Sequence, residues 1–320
     1  DLQSVLPNFA VSDLIGTCVD DFHQHPAHQR ELLKKLDAPH KATLKLAGLI
    51  FDLIASPWFN EEGERLGTIV EWQDITDSVN KAEAEKPIRD LLGLFSSKHC
   101  NDGFNETCYD TQYESLWQSD SQIARLSLTL GRDLPSFMSL ITDIKIRSIV
   151  EVLLESKKLI MPYDWCLFRI DGQSTKVSYF DWHQDYPYNV INRSAVTFWA
   201  PLSDVESNMG TLEYVPNTHR HIFPVSPTEN ITPNNPNRLP IHNAKELNET
   251  WDKEKKTTGP VKQGDLLLFN SLMVHRSGIN TSNKYRWVAN GRYGTTDDQE
   301  LIDRNYYMAR TKYPSYFGIA

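Results

Sequence analysis

The apolar positions of this chain change period along its length, and the changes mark its organisation. Within residues 13–36, the run His25-Pro26-Ala27-His28-Gln29-Arg30-Glu31-Leu32-Leu33-Lys34-Lys35-Leu36 places Pro early and its apolar residues on one face, which predicts a helix. From 42 to 76 the period falls to two, in three runs at 42–46, 50–59 and 68–76, with a polar, two-glycine turn from Asn60 to Gly67. This predicts an antiparallel three-strand meander. Residues 77–86 are charged and Ala-rich and lead into Pro87, which predicts a helical linker over 79–95, followed by a loop over 96–112. Residues 135–154 open on Pro135 and carry apolar residues at i, i+3 and i+4, which predicts one amphipathic helix.

Short alternating runs follow, at 165–170, 194–202 and 264–269, separated by turn signals. They predict a double-sheet jelly roll. Residues 221–260 interrupt the pattern with Pro224, Pro227, Pro233, Pro236 and Pro240 among many Asn, which predicts a substrate-covering lid, with a structural decoration as the alternative. Residues 302–307 predict a closing helix. The fold class expected is therefore α+β: a C-terminal sheet-rich domain with supporting helices, behind an N-terminal α/β segment.

Composition narrows the function. At 320 residues, 40% hydrophobic and 23% charged, the chain has the make-up of a soluble globular protein with room for two domains. Its net charge of −9 argues against nucleic acid, whose binders present a basic footprint. No apolar run reaches the roughly 20 residues that span a bilayer, and no signal peptide is visible, so a cytoplasmic protein without a membrane partner is expected. The cysteines, Cys18, Cys100, Cys108 and Cys166, lack C-x-x-C spacing and are expected as free thiols; Cys100 and Cys108 would pair only in an oxidising compartment.

The candidate chemistry lies in Phe180-Asp181-Trp182-His183-Gln184-Asp185-Tyr186. On an extended strand, His183 and Asp185 project to one face. His275 is the expected third ligand. Two histidines and one carboxylate on one face of a metal leave open positions, an arrangement suited to non-haem Fe(II). Downstream, Gly, Asn, Ser and Thr predict a hairpin turn centred near Thr281 and Ser282, which would set Ser277 opposite Arg286. A guanidinium fork with a hydroxyl beside it suits the far carboxylate of a diacid whose other end chelates the metal. On its own, His183-x-Asp185 is weak, because such spacings arise by chance.

The ordered set His183, Asp185, His275, Ser277 and Arg286 resembles the phytanoyl-CoA dioxygenase family of Fe(II)- and 2-oxoglutarate-dependent oxygenases. So does Gly210-Thr211-Leu212-Glu213-Tyr214-Val215-Pro216-Asn217-Thr218-His219, in which Asn217 and Thr218 stand where the family has Gly and Ser. The resemblance covers roughly residues 120–310. It implies a double-stranded β-helix (jelly roll, cupin-like) with Fe(II) on His183, Asp185 and His275, and 2-oxoglutarate held by Arg286 with Ser277. It also implies reaction with O₂ to give succinate, CO₂ and a hydroxylated small molecule. Halogenating relatives leave the carboxylate position empty; Asp185 fills it here, which favours hydroxylation.

Residues 2–77 resemble the later two-thirds of a PAS domain of the bacterial chemoreceptor type, through Phe22-His23, the turn at Asn60 to Gly67, and Glu71-Trp72-Gln73-Asp74-Ile75-Thr76. This implies a degraded scaffold or a homodimer surface more than a ligand pocket; His23, His25, His28 and His40 are expected as ordinary helix and turn histidines rather than haem ligands. The domains expected are thus 1–78, PAS-like; 79–95, linker; and 96–320, dioxygenase, with a core at 165–295 and the lid at 221–260. Two other readings stay open: a cupin-like barrel with another metal, and a PAS-linked sensor whose barrel only binds. Arg169 is expected either in the cavity against a substrate anion or in a surface salt bridge. The substrate expected is a small polar metabolite or sugar derivative.

Overall fold

The computed structural model describes residues 26–46, 48–99, 109–173, 181–225, 241 and 244–306, and it divides into two compact units, Asp1–Glu83 and Ala84–Ala320. In the first unit, α1 (Pro26–Lys34) precedes β1 (His40–Leu46), β2 (Leu49–Phe59) and β3 (Arg65–Asp74). The strands form an antiparallel sheet in the order β1-β2-β3, as period-two runs joined by short turns require. The β2–β3 turn closes through the Asn60 side chain, which accepts from the Glu64 N–H at 2.6 Å, with Gly63 in the left-handed region at φ +82°. Arg65 donates to the carbonyls of Lys34 and Leu36, at 3.0 and 2.9 Å, and to that of Leu33, thereby capping the end of α1. The expected N-terminal part of that helix, Phe22, His23 and His25 lie outside the described residues, as do Cys18, Cys100 and Cys108.

A single helix, α2 (Thr76–His99), includes the segment expected as a linker and the first residues of the expected 96–112 loop. The next helix, α3 (Tyr109–Ser119), takes the last residues of that loop. The second unit continues with α4 (Ser121–Asp133), α5 (Pro135–Ile141) and α6 (Ile144–Leu153). The one helix expected over 135–154 is therefore two. Its break has a local cause: Asp143 leaves helical geometry, and its carboxylate accepts from the Lys145 N–H at 2.7 Å, capping a new helix.

Two antiparallel sheets follow. The larger orders β4 (Leu159–Ile160), β11 (Arg286–Thr295), β6 (Val196–Pro201) and β9 (Leu267–Asn270), with β5 (Leu167–Asp171) also paired to β11. The smaller orders β10 (His275–Ser277), β7 (Leu212–Tyr214) and β8 (Lys256–Thr257). Every residue of β11 is buried, so it is covered on both faces. Trp287, Ala289 and Tyr293 join Phe168, Ile170 and residues of α3 to α6 in the main core. The alternate residues, Arg286, Val288, Asn290 and Arg292, point the other way, as the pleat demands. The helices therefore insulate one face of this sheet and leave the opposite face to carry polar groups.

Part of the expected lid over 221–260 has regular structure. Residues 244–254 form helix α8 and residues 256–257 form β8, paired with β7, while 226–240, 242 and 243 lie outside the described residues. Trp251 of α8 is buried with Trp182, Val215, Ile241 and Val274, so α8 packs beside the small sheet. The closing helix begins earlier than expected, at α9 (Gln299–Asp303), because Asp298 caps it by accepting from the Leu301 N–H at 3.0 Å. Among the described residues, no helix is long and apolar enough to cross a membrane.

Candidate metal centre

His183 and His275 face each other as an isolated antiparallel pair that exchanges both backbone hydrogen bonds, 3.1 Å from His183 N–H and 3.0 Å from His275 N–H. Directly opposed residues project to the same side, so the two rings lie with their centroids 4.3 Å apart. The strand expected over His183 to Asp185 is shorter than the sequence suggested. His183 is a one-residue bridge, and Asp185 already has helical angles (φ −75°, ψ −30°) at the start of α7 (Tyr186–Asn189). Pro187 sits in the first turn of that helix, where its fixed φ is tolerated, and the chain turns away from the sheet. Asp185 nevertheless reaches the histidines, with carboxylate oxygens 3.8 Å from His183 Nε2 and 3.9 Å from His275 Nε2.

The donor atoms of His183, Asp185 and His275 all lie within 4.8 Å of one another. Each imidazole is oriented by its other nitrogen: His183 Nδ1–H donates to the Asp181 carbonyl at 2.7 Å, and His275 Nδ1–H donates to the Met273 carbonyl at 2.9 Å. A carbonyl can only accept, so these bonds select the tautomer that carries its lone pair on Nε2, the form that binds a metal. Burial and the neighbouring His275 push the His183 imidazole down to about 3, with Asp185 opposing, so it is neutral near pH 7. Burial likewise lowers His275. For Asp185, burial raises the carboxyl, but Arg292 and the two histidines outweigh it and hold it well below the usual carboxylate range. Two neutral imidazoles and one carboxylate, all buried, fit a divalent metal that accepts nitrogen and oxygen ligands.

Residues that the spacing did not reveal hold the carboxylate. Arg292 Nη2 donates to Asp185 Oδ1 at 2.6 Å, and Thr197 Oγ1 donates to Asp185 Oδ2 at 2.7 Å. Period-two patterning places both positions on inward faces, yet it cannot say which partner they meet. Gln184, between His183 and Asp185, points the other way and donates to the carbonyls of His221 and Leu272. The Gly210 to His219 motif acts at a distance. Asn217 takes the left-handed conformation at φ 65°, tolerable for Asn, where the resembling pattern has Gly. Thr218 Oγ1 then accepts from the Val274 N–H at 2.9 Å, which fixes the residue before His275.

The hairpin expected between Ser277 and Arg286 is not formed. Ser277 pairs with Leu212 in the small sheet, and Arg286 pairs with Asp171 in the large one, so 278–285 crosses between sheets. A tight backbone approach explains the crossing: a Cβ on Gly210 (φ +73°) would stand 2.2 Å from the Gly278 carbonyl oxygen, so the chain passes close to β7 before entering β11. Both residues remain buried, and Arg286 Nη1 donates to the Met209 carbonyl, next to Gly210, at 3.2 Å. Arg286 also meets an internal acid: its Nη2 donates to Asp171 Oδ2 at 2.7 Å, while Arg169 Nη2 lies 3.2 Å from Asp171 Oδ1. Arg286 Nε is buried without a hydrogen-bond partner. Asp171 alternates with apolar Phe168 and Ile170 as Arg169 does, the one signal that could have marked it beforehand.

A family model described as phytanoyl-CoA dioxygenase (PhyH) matches residues 109–288. Among curated proteins, the methyl-accepting chemotaxis protein McpB of Pseudomonas aeruginosa is 47% identical over 85 residues, which is 27% of this chain and spans 12% of McpB. Among solved structures, a protein described as the non-heme monooxygenase ThoJ is 18% identical over 67% of this chain and 70% of its own, with a TM-score of 0.43. The epimerase SnoN, solved with Fe3+, alpha ketoglutarate and nogalamycin RO, is 20% identical over 51% of this chain and 60% of its own, with a TM-score of 0.40. The alpha ketoglutarate-dependent carbocyclase SnoK is 17% identical over 54% of this chain and 68% of its own, also at 0.40.

Proposed function

The chain belongs to the phytanoyl-CoA dioxygenase (PhyH) family, matched over residues 109–288, and from that premise we propose that it is an Fe(II)- and 2-oxoglutarate-dependent oxygenase that hydroxylates a C–H bond of a small molecule. The observation that carries the reading is the buried group of His183, Asp185 and His275, whose two Nδ1 atoms are already engaged, leaving both Nε2 atoms and a carboxylate oxygen converging within 4.8 Å. These three residues hold the iron in this reading. When bound, iron with 2-oxoglutarate and O₂ would supply the oxidising chemistry, one oxygen atom entering the succinate formed with CO₂ and the other the substrate hydroxyl.

The protein's own side chains do the rest. Arg292 and Thr197 keep Asp185 ionised and aimed, so that no proton has to leave it when metal enters. Arg286 receives the far carboxylate of the diacid, with Ser277 as a hydrogen-bond partner. Its unpartnered Nε supports this role, because a buried guanidinium N–H without an acceptor is costly until a ligand supplies one. Asp171 occupies one nitrogen of the fork and so holds Arg286 in place.

The N-terminal unit is read as a partial PAS-like module and a candidate homodimer surface. The three-stranded antiparallel sheet and the partial match to a chemoreceptor support that reading.

The test is succinate release from 2-oxoglutarate by the metal-loaded full chain across a panel of small metabolites. Fe(II)-dependent release in the wild type, lost in His183→Ala and Asp185→Ala, is expected. Release that persists in either variant would remove the assignment.

A further inference from the structure

The pleat of β10 sends His275 and Ser277 to one face, both buried, and Arg276 between them to the other. On that second face Arg276 Nε donates to Glu213 Oε2 of β7 at 2.6 Å, and Nη2 donates to Asp252 Oδ1 of α8 at 2.7 Å. Its Nη1 lies 3.7 Å from Asp181 Oδ1, and the guanidinium carbon stands 4.2 Å from the centroid of the Trp182 ring. Lys255, just past α8, braces the same acids, 3.1 Å from Glu213 Oε1 and 3.6 Å from Asp252 Oδ1.

The groups that Arg276 touches adjoin the histidines. Asp181 supplies the carbonyl that receives His183 Nδ1–H at 2.7 Å. Trp182 precedes His183 in the chain, and Arg276 itself follows His275. His183 and His275 exchange both backbone hydrogen bonds, so the two segments form one hydrogen-bonded unit. Helix α8 reaches this unit twice, through the ion pair from Asp252 to Arg276 and through Trp251, which packs edge-on against Trp182 with centroids 6.2 Å apart. The Asp252 side chain is 46% exposed, and a lone ion pair there would be worth little. The network differs, because Arg276 is largely buried and its fork is also held by Glu213, over an indole face that a guanidinium favours.

We propose that Arg276 is a positioning residue for the metal centre, and that the seating of α8 on it sets the geometry of His183 and His275. The proposal rests on the reading of those histidines as metal ligands. With the fork fixed by Asp252 and Glu213, its contacts to Asp181 and Trp182 hold the backbone that carries the His183 acceptor, and its own backbone holds His275. Loss of Asp252 frees one end of the fork. Both imidazoles then lose aim, which a metal reads as weaker and less ordered ligation.

The experiment measures Co(II) binding to the full chain by competition with a chromophoric chelator, with the visible Co(II) spectrum and a thermal melt of the metal-free protein alongside. Co(II) accepts nitrogen and oxygen donors, and its visible bands report their geometry. Arg276→Gln and Asp252→Asn should each weaken Co(II) binding about 10-fold and change the spectrum. The double variant should lose no more than Arg276→Gln alone, because both changes break one chain of contacts. Wild-type affinity and spectrum in Asp252→Asn overturn the proposal, even where Arg276→Gln does not fold. Additive losses in the double variant overturn it too, as does a lowered melting temperature with unchanged Co(II) affinity, which marks a merely structural contact. Should the wild type bind no Co(II), the metal-centre reading falls and this proposal with it; Co(II) binding that ignores Asp252→Asn removes this proposal alone.

Discussion

Acidification from about pH 7.5 to about pH 5 should destabilise the metal-free protein by about 2 kcal/mol through His183 alone. The folded imidazole sits near 3 because burial and the adjacent His275 penalise its charged form. In the unfolded chain the same ring titrates near 6.5. Below about 6.5 the unfolded state therefore binds a proton that the folded state refuses, and protons favour unfolding. The penalty is absent above the unfolded value, grows as pH falls towards about 3, and levels off there. At about pH 5 the unfolded ring is protonated by a factor of roughly 30, which corresponds to about 2 kcal/mol. His275, also lowered by burial, adds in the same direction. Urea titrations at both pH values should read the unfolding of this unit through Cys166, whose thiol is fully buried in the core, using a disulfide reagent that stays reactive in acid and peptide-level mass spectrometry. His183→Gln, which cannot titrate, should lose about 2 kcal/mol less over that interval than the wild type. Equal losses in the two proteins would refute the claim that His183 is held neutral by its surroundings. The same arithmetic makes metal affinity nearly flat between these pH values as far as His183 is concerned, whereas an exposed imidazole would lose roughly 30-fold to proton competition.

Thr197→Val removes one hydrogen bond from the Asp185 carboxylate and should weaken Fe(II) or Co(II) binding about 10- to 100-fold, as read by competition with a chromophoric chelator. Unchanged affinity would show that Arg292 suffices to aim the carboxylate. Arg286→Gln should weaken 2-oxoglutarate about 10- to 100-fold in titrations of the metal-loaded protein while leaving metal binding intact; loss of both would mark a structural role. Gly210→Ala must place a Cβ 2.2 Å from the Gly278 carbonyl oxygen at a φ of +73°, and should cost about 1–3 kcal/mol in a thermal melt. A variant as stable as the wild type would mean that the crossing between sheets can move aside.

The alternation of apolar and polar positions made the strands legible because a pleated chain must send neighbouring side chains to opposite faces. The N-terminal meander, β5 and β6 could be read this way, and β9 in outline. Caps and breaks were harder: Asp143 splits an amphipathic run whose periodicity continues across the break, since the competition between its carboxylate and the helix backbone is decided locally and leaves the pattern unchanged. The loop expectation at 221–260 rested on prolines and asparagines. It missed α8 because the burial of Trp251 against Trp182 is a contact between segments far apart in the chain.

By itself, the order of His183, Asp185, His275, Ser277 and Arg286 along the chain was enough to name a family and a candidate ligand set, because these side chains carry the chemistry in their own functional groups. What only the folded chain decided is which groups face those residues. Ser277 and Arg286 fall in different sheets, Asp171 takes part of the Arg286 fork, and Thr197 and Arg292 grip Asp185. The net charge of −9 gave no sign that Arg286 and Arg292 lie buried against Asp171 and Asp185. Composition sums over surface and core alike, whereas the field at a buried site is set by the few charges that low dielectric leaves unscreened, and their neighbours are chosen by strand register rather than by sequence distance.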